Sequence, residues 1–140
     1  MRVQVIQPDT PRILPPLTET NTSFWTGGAH GELLILYCDA CDCWVHPPVS
    51  TCPACAGPLT PRPARGTGTL FTFTINHHQY HPDVPPPYVV AIVELDEQSG
   101  LRLPTNIVHA SGADLRCGMP VQVLFEQHGN VFVPVFEPAA

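Results

Sequence analysis

Two Cys-x-x-Cys pairs lie close together in the sequence, and their spacing predicts chemistry more clearly than that of any other residues. Cys38 and Cys41 form one pair, Cys52 and Cys55 form the other, and ten residues separate them. A short hairpin over those ten residues would bring four thiolates to one point. Four thiolates are the ligand set of a closed, structural zinc site. The sequence therefore predicts a structural metal site, with iron as an alternative that the spacing does not exclude.

Two other uses of these cysteines are weaker predictions. A disulfide framework requires an oxidising compartment, and the N-terminal sequence shows no apolar stretch behind a basic start, as a secretory signal would. A thioredoxin-like redox motif requires one Cys-x-x-Cys at the start of a helix, whereas both pairs here lie in proline-rich, turn-like sequence. We therefore expect a soluble, cytoplasmic protein.

Three further residues could compete for the metal or act on their own. Cys43 follows Cys41 by two residues and could replace it, but the equal spacing of the two pairs favours Cys41 and leaves Cys43 as a free packing residue. With four thiolates available, His46 is predicted to be a surface histidine rather than a ligand. Cys117 is predicted to be a buried, apolar-like thiol.

The composition predicts a globular protein with little helix. The chain has 140 residues, of which 44% are hydrophobic and 18 are proline, and it shows no long periodic segment. Only 13% of the residues are charged, which indicates that a partner covers part of the surface. The net charge of −6 and the absence of lysine argue against binding to nucleic acid. The longest aliphatic run, residues 33–36, is too short to span a membrane.

Changes in the sequence pattern divide the chain into five segments. The first segment, residues 1–17, could equally be a disordered tail, since termini are poorly ordered unless something holds them. The second segment, residues 18–30, is predicted to be a short helix that Thr18 caps and that Gly27 and Gly28 end. Its Phe24 and Trp25 are expected to pack on the barrel predicted for the last segment or on a partner. The segments are an extended N-terminal arm (1–17), a short helix (18–30), the zinc ribbon (31–60), a proline-rich linker that holds the ribbon at a distance from the last segment (61–66) and a barrel (67–138).

The last segment carries five predicted strands, each rich in β-branched or aromatic residues. A longer connection over residues 112–118 separates the third strand from the fourth. Five antiparallel strands with such a crossing favour a small barrel of the OB-fold type, with a sandwich as the alternative. The predicted strands cover residues 68–77, 88–95, 101–108, 120–127 and 130–136.

Segments along most of the chain, in the right order and spacing, resemble one known family. The chain is similar to acyl-CoA-associated proteins that join a rubredoxin-like zinc ribbon to a C-terminal OB-fold. In this family a glycine often stands at the place of Asp42, and Cys43 is unusual, so the first metal turn matches less well than the second. The resemblance covers residues 16–138 and is carried by FWTGGAHGEL, the CDAC and CPAC pairs with HPP between them, RGTGTLFTFTINH, PPPYVVAIVELDE, RLPTNIV and GMPVQVLFE.

The resemblance implies a mainly β protein that serves as a non-catalytic accessory subunit. Members of the family accompany thiolase-fold proteins, including lipid-transfer-type aldolases that cleave steroid side chains, thiolase–synthase pairs and MaoC-type enoyl-CoA hydratases. The implied role is to bind and stabilise a steroid side-chain-cleaving retro-aldolase and to help form its acyl-CoA channel. Because the sequence ends at Ala140 without a fused enzyme domain, we expect the partner to be recruited in trans as part of a hetero-oligomer.

Two groups of polar residues could take part in that role. Arg62 and Arg65 are closely spaced cations and weak candidates for contacting the phosphates of coenzyme A, although solvated linker charges are favoured. His77, His78 and His81 lie, with Tyr80, in the loop after the first barrel strand, where ligands often bind. No nucleophile or carboxylate pair accompanies these histidines in the sequence. A polar turn or an interface patch is therefore favoured over an acid–base site.

Overall fold

The computed structural model describes residues 3–139 and is mainly β. The first two residues of the predicted arm and the C-terminal Ala140 lie outside the described residues. The strands are β1 (Val5–Ile6), β2 (Leu33–Cys38), β3 (Cys43–Val45), β4 (Thr60–Ala64), β5 (Thr67–Asn76), β6 (Tyr88–Leu95), β7 (Arg102–Ile107), β8 (Pro120–His128) and β9 (Val131–Pro138). The helix α1 covers Thr22–Thr26, and 3-10 turns cover Gly27–His30 and Gly112–Asp114.

The strands β5 to β9 close into a five-stranded barrel with the topology of an OB-fold. Antiparallel pairs join β5 to β6, β6 to β7, β5 to β8 and β8 to β9. A parallel contact between Ile107 of β7 and Phe136 of β9 completes the ring. The fold class predicted from the sequence is confirmed, and the barrel rather than the sandwich is the observed architecture.

A bulge changes the face of β5 that points into the barrel. Gly68 and Leu70 are buried, but the register with β6 shifts between Leu70 and Thr72, so the partly buried positions after the bulge are Phe73 and Ile75. Phe71 is 45% exposed, and the guanidinium carbon of Arg102 lies 3.8 Å from the centre of its ring. A simple two-residue alternation cannot predict such a switch, because one extra residue reverses the faces.

The ribbon is a three-stranded antiparallel sheet with the order β3-β2-β4. Its third strand corrects a prediction, because β4 occupies most of the segment expected to be a linker. Leu34 pairs with Pro63 and Leu36 with Pro61. Prolines lack an N–H group, and a strand that contains them is tolerated at the edge of a sheet. The sequence rule that proline breaks strands therefore fails here, since β4 is an edge strand.

The ribbon lies against the barrel and is not held away from it. The side-chain amide of Gln98, in the turn between β6 and β7, donates to the carbonyl of Trp44 at 3.1 Å and accepts from its N–H at 2.9 Å. In the same turn, a Glu97 oxygen accepts a hydrogen bond from the Arg65 N–H at 2.6 Å. The turn between β6 and β7 therefore pairs with β3, an edge strand of the ribbon, much as another strand would.

The helix region fills the space between the ribbon and the barrel. Phe24 is 5% exposed and belongs to the main hydrophobic core, with Trp25 packed against it. The α-helix begins at Thr22, later than predicted, with Asn21 at its N-cap. Thr18 instead caps the turn before the helix, because its hydroxyl oxygen accepts from the Asn21 N–H at 3.3 Å and its own N–H donates to the Asn21 side-chain oxygen at 2.7 Å. The α-helix ends at Thr26 with Gly27 as its C-cap, as predicted for the glycine pair, and a 3-10 turn then continues to His30 and is followed by Gly31, whose φ is 71°.

The N-terminal arm lies along the barrel. Strand β1 pairs in parallel with β8, with Val5 opposite Phe125. Further on, the Arg12 guanidinium donates to Glu126 at 2.6 Å and to Asn106 at 2.8 Å. The arm therefore has the tethers that an ordered terminus needs. Within residues 3–139 there is no helix long and apolar enough to cross a membrane.

Candidate metal centre and barrel cavity

The four cysteines of the two pairs come together at one end of the ribbon. The Sγ atoms of Cys38, Cys41, Cys52 and Cys55 all lie within 4.8 Å of one another. Cys38 Sγ is 3.6 Å from Cys55 Sγ, and Cys52 Sγ is 4.0 Å from Cys41 Sγ. A zinc–sulfur bond of about 2.3 Å gives a tetrahedron with edges of about 3.8 Å. The donor set and its spacing therefore fit one tetrahedral thiolate-bound ion.

The two cysteine turns share a local geometry that directs their sulfurs inward. The residue after the second cysteine of each turn has a positive φ, 55° at Asp42 and 59° at Ala56. Glycine is the residue that adopts this conformation most readily. Asp42 is accommodated in this conformation while its carboxylate accepts a hydrogen bond from the Tyr37 hydroxyl. The departure from the family's usual glycine therefore leaves the first turn intact.

Backbone N–H groups donate hydrogen bonds to the cysteine sulfurs, which favours the thiolate form that binds a cation. The Cys41 N–H donates to Cys38 Sγ at 3.4 Å, and the Gly57 N–H donates to Cys55 Sγ at 3.3 Å. Hydrogen bonds from the backbone of Cys55 and Ala54 lower the pKa of Cys52 to about 6. The neighbouring sulfurs of Cys55 and Cys38 instead raise the pKa of Cys41 to about 12. Four adjacent thiolates repel one another, and a divalent cation among them removes that repulsion.

The remaining cysteines lie outside this cluster. Cys43 pairs with Cys38 across β3 and β2, is partly buried, and contributes no sulfur to the group of four. Cys117 is exposed in the turn before β8, so the prediction of a buried thiol is wrong. Its neighbours explain the error, because Gly118 has a φ of 91° and forms a surface turn in which the side chain of Cys117 faces solvent.

His46 is a packing residue, which corrects the prediction of a surface histidine. Its ring centre lies 5.0 Å from that of Phe24, at the contact between the ribbon and the helix. Its Nδ1 atom is buried without a hydrogen-bond partner among the described residues. Burial lowers the pKa of His46 to about 4. The ring is therefore neutral at pH 7 and contributes apolar contact.

The lowered pKa of His46 predicts an acid-sensitive contribution to stability. Between pH 6.5 and about 4 the unfolded chain binds a proton at His46 that the folded chain does not bind. Stability therefore falls as the pH decreases through this window, by about 1.4 kcal/mol per pH unit and about 3 kcal/mol in total. His46→Phe keeps a ring against Phe24 and should remove this slope. Urea unfolding of both proteins at several pH values measures the difference.

Metal release in acid contributes to both unfolding curves and is followed separately by metal analysis at each pH. The matched comparison is therefore the difference between the slopes of the two proteins. Equal slopes for the wild type and His46→Phe would contradict the account of a buried, neutral histidine.

Both arginines of the segment predicted as a linker are engaged by carboxylates. Arg62 pairs with Asp39 at 2.9 Å, and its guanidinium carbon lies 4.1 Å from the centre of the Tyr37 ring. Arg65 pairs with Glu97 at 3.3 Å. These carboxylates would compete with any phosphate group for the two cations.

The loop after β5 that carries His77, His78, Tyr80 and His81, called the histidine loop below, forms part of the wall of a cavity at one end of the barrel. The cavity has a volume of about 670 Å³ and lies between this loop, the N-terminal arm and the connection after β7. Tyr80 and His81 line it, whereas His77 and His78 do not. The Nδ1 atom of His81 accepts a hydrogen bond from the Asp83 N–H at 3.2 Å.

Sequence reasoning missed the polar group inside this cavity. Glu126 is 8% exposed, and its carboxylate binds Arg12 of the arm, which also binds Asn106. Burial alone raises the pKa of Glu126, but hydrogen bonding and charge attraction to Arg12 outweigh it, and the net pKa is lowered. More than ninety residues separate Arg12 from both partners in sequence. Only the placement of Glu126 within a predicted barrel strand could have suggested that it needs a cation.

Two family models match adjacent parts of the chain. Residues 25–60 match the rubredoxin-like zinc ribbon domain of ChsH2, and residues 61–126 match the ChsH2 C-terminal OB-fold domain. The chain belongs to the ChsH2 family. The family resemblance inferred from the sequence is thereby confirmed, and the matched zinc ribbon contains all four clustered cysteines.

Two curated proteins are similar to this chain along most of its length. A probable enoyl-CoA hydratase alpha subunit of Thermomonospora curvata is 36% identical over 95% of this chain. A 3-oxo-4,17-pregnadiene-20-carboxyl-CoA hydratase alpha subunit of Mycobacterium tuberculosis is 28% identical over 93% of it. The matched region covers 42% of each relative, so the chain spans about two fifths of the length of these curated relatives.

Two solved structures share this fold. A chain of the structure titled Ltp2-ChsH2(DUF35) aldolase has a TM-score of 0.81 and 34% identity, over 91% of this chain and all of that chain. A DUF35-family protein of unknown function from Sulfolobus solfataricus has a TM-score of 0.61 and 14% identity, over 86% of each chain. The second likeness shows the common fold alone.

Proposed function

We propose that this chain is a non-catalytic accessory subunit that binds and stabilises a thiolase-fold acyl-CoA enzyme in a hetero-oligomer. The partner class that we favour is a lipid-transfer-type retro-aldolase that cleaves steroid side chains, with this subunit helping to form its acyl-CoA channel. The observation that carries the proposal is the likeness to a chain titled Ltp2-ChsH2(DUF35) aldolase, which extends over the whole of that chain. The pregnadiene carboxyl-CoA named for one relative supports a steroid substrate.

The metal centre has a structural role in this proposal. Cys38, Cys41, Cys52 and Cys55 would hold zinc, which supplies four ligand bonds that fix the ribbon and no open position for substrate. Reduced thiols of this kind suit the cytoplasm, the location that we propose. The CoA thioester would be bound mainly by the partner. Arg62 and Arg65 could contact its phosphates only by exchanging their present carboxylate partners.

The geometry of the histidine loop supports an accessory role. Within residues 3–139, no side-chain hydrogen bond joins His77, His78 or His81 to a carboxylate or a hydroxyl group, as a catalytic acid–base pair would require. His78 stacks edge-on against Tyr80, with ring centres 4.5 Å apart. We therefore place the reacting groups in the partner.

A MaoC-type enoyl-CoA hydratase is the second candidate partner, and a thiolase–synthase pair is a third. The hydratase is favoured by the names of both curated relatives, which are hydratase alpha subunits. A nucleic-acid partner has little support. Four arginines of the described residues are paired with carboxylates, which leaves few cations for phosphates: Arg12 with Glu126, Arg62 with Asp39, Arg65 with Glu97 and Arg102 with Glu94.

Co-expression followed by affinity purification tests the proposal. The tagged chain is produced with the thiolase-fold aldolase of the same organism and, separately, with a MaoC-type hydratase. We expect the aldolase to co-purify in a fixed ratio and to lose solubility or activity when this chain is omitted. Co-purification with the hydratase instead would select the second candidate. A monodisperse chain that retains no acyl-CoA enzyme would overturn the proposal.

A further inference from the structure

The cavity at the end of the barrel has the size and lining of a small-molecule site. Its volume of about 670 Å³ lies within the range of about 300–1,000 Å³ that is typical of ligand pockets. The cavity is partly open to solvent. Six aliphatic side chains from the barrel and its connections line it: Ile75, Val84, Val89, Ile107, Val108 and Ala110.

Two large residues beside the cavity are left in water. Ile13 of the arm is 85% exposed and Tyr80 of the loop is 76% exposed, and both line the cavity. Exposure of such side chains costs free energy, and an apolar molecule between them would bury both. Because they approach the cavity from different segments, a ligand inside it could contact both.

The charges of the cavity select against an anionic ligand. Its one cation, Arg12, is already bound by the Glu126 carboxylate and by the Asn106 side-chain oxygen. A phosphate or carboxylate entering the cavity would meet Glu126, and the chain as a whole has a net charge of −6. An uncharged molecule avoids this repulsion and the cost of burying a charge.

The polar groups of the wall favour a ligand that carries an oxygen acceptor. Since His81 Nδ1 accepts a hydrogen bond from the Asp83 N–H, the neutral ring carries its proton on Nε2 and can donate from there. Tyr80 and Tyr88 also line the cavity, and each carries a hydroxyl group. A carbonyl or hydroxyl oxygen on an otherwise apolar body matches this combination.

We propose that the cavity binds a neutral, largely apolar small molecule bearing a carbonyl or hydroxyl oxygen. The coenzyme A part of a thioester does not fit this description, because it carries several phosphate charges. The site is a property of the chain itself and can be tested without any partner, so it stands or falls separately from the proposed function.

Fluorescence titration with Nile red, an uncharged dye with a carbonyl oxygen, tests the site on the full chain. We expect saturable binding at one site, displacement by the neutral diketone androst-4-ene-3,17-dione and no displacement by coenzyme A. Val108→Phe fills the cavity and should weaken binding at least tenfold. Val90→Phe, the same change at a 42% exposed position outside the cavity, is the matched control and should bind as the wild type does.

Several results would overturn the proposal. These are the absence of saturable binding, equal affinity of the Val108→Phe and Val90→Phe variants, and displacement by coenzyme A as effective as that by the diketone. If Val108→Phe fails to fold, judged by circular dichroism, the smaller change Ala110→Leu replaces it with the same expectation. If the wild type binds no dye but Val108→Phe loses an enzyme partner that Val90→Phe retains, the cavity is a polypeptide groove and the proposal is wrong.

Discussion

Replacing Cys52 by serine is expected to release the metal, unfold the ribbon and abolish complex formation together. Cys52 is 2% exposed, and its sulfur accepts backbone hydrogen bonds that hold it toward the other three cysteines. Structural zinc contributes about 10–16 kcal/mol of apparent binding free energy in small zinc-binding domains. A site with three thiolates binds zinc more weakly and loses much of that free energy. The short strands of the ribbon bury too little apolar surface to replace it.

Metal content per chain, far-ultraviolet circular dichroism and co-purification with the partner measure the three losses. Cys117→Ser is the control, because it makes the same chemical change at an exposed position outside the cluster. It should retain metal, fold and partner binding. A Cys52→Ser chain that remained folded and fully assembled, but supported no turnover, would show that the metal centre acts in catalysis and not in structure.

Replacing Gly28 by alanine is expected to destabilise the protein by about 3 kcal/mol or more, in the range of severe overpacking. A methyl group at this position would lie 2.5 Å from the Cβ atom of Phe132 and 2.7 Å from the ring of Phe125. Phe125 is fully buried and Phe132 is 8% exposed, so neither can move without disturbing β8 and β9. The 3-10 turn must therefore separate from the barrel.

Thermal and urea unfolding of Gly28→Ala against the wild type measure this loss. Ala29→Ser is the control, since it adds one atom at the next residue of the same turn, which is exposed. It should change the free energy of unfolding by less than about 0.5 kcal/mol. A Gly28→Ala protein with wild-type stability would mean that the turn is not pressed against the barrel as described.

The features that depend on nearby residues could be predicted from the sequence. The spacing within each cysteine pair depends on one tight turn, so the sequence alone selected the four sulfurs that the structure brings together. The barrel strands were predicted to within two residues of their observed ends, because β-branched and aromatic runs bounded by turn residues depend little on distant contacts. Family resemblance added the family itself, which the two matching family models confirm.

The features that depend on distant contacts could not be predicted. Residues 61–64 look like a linker until β2 supplies a partner, since proline gives the same local signal in both settings. His46 is partly buried, and the residue that packs on its ring, Phe24, lies on a separate helix. Arg12 likewise holds the arm to the barrel through the carboxylate of Glu126, which lies far along the chain. In each case the deciding partner lies outside any window that a sequence pattern can cover.

The hydrogen bonds of Gln98 also have a consequence for how copies of this protein meet one another. Strand β3 is one of the two edge strands of the ribbon sheet, and free N–H and C=O groups on such a strand invite another chain to add to it. At Trp44 both groups are already taken by the Gln98 amide. One side chain from the barrel therefore protects the β3 edge of the ribbon against edge-to-edge aggregation, and it does so only while ribbon and barrel remain together.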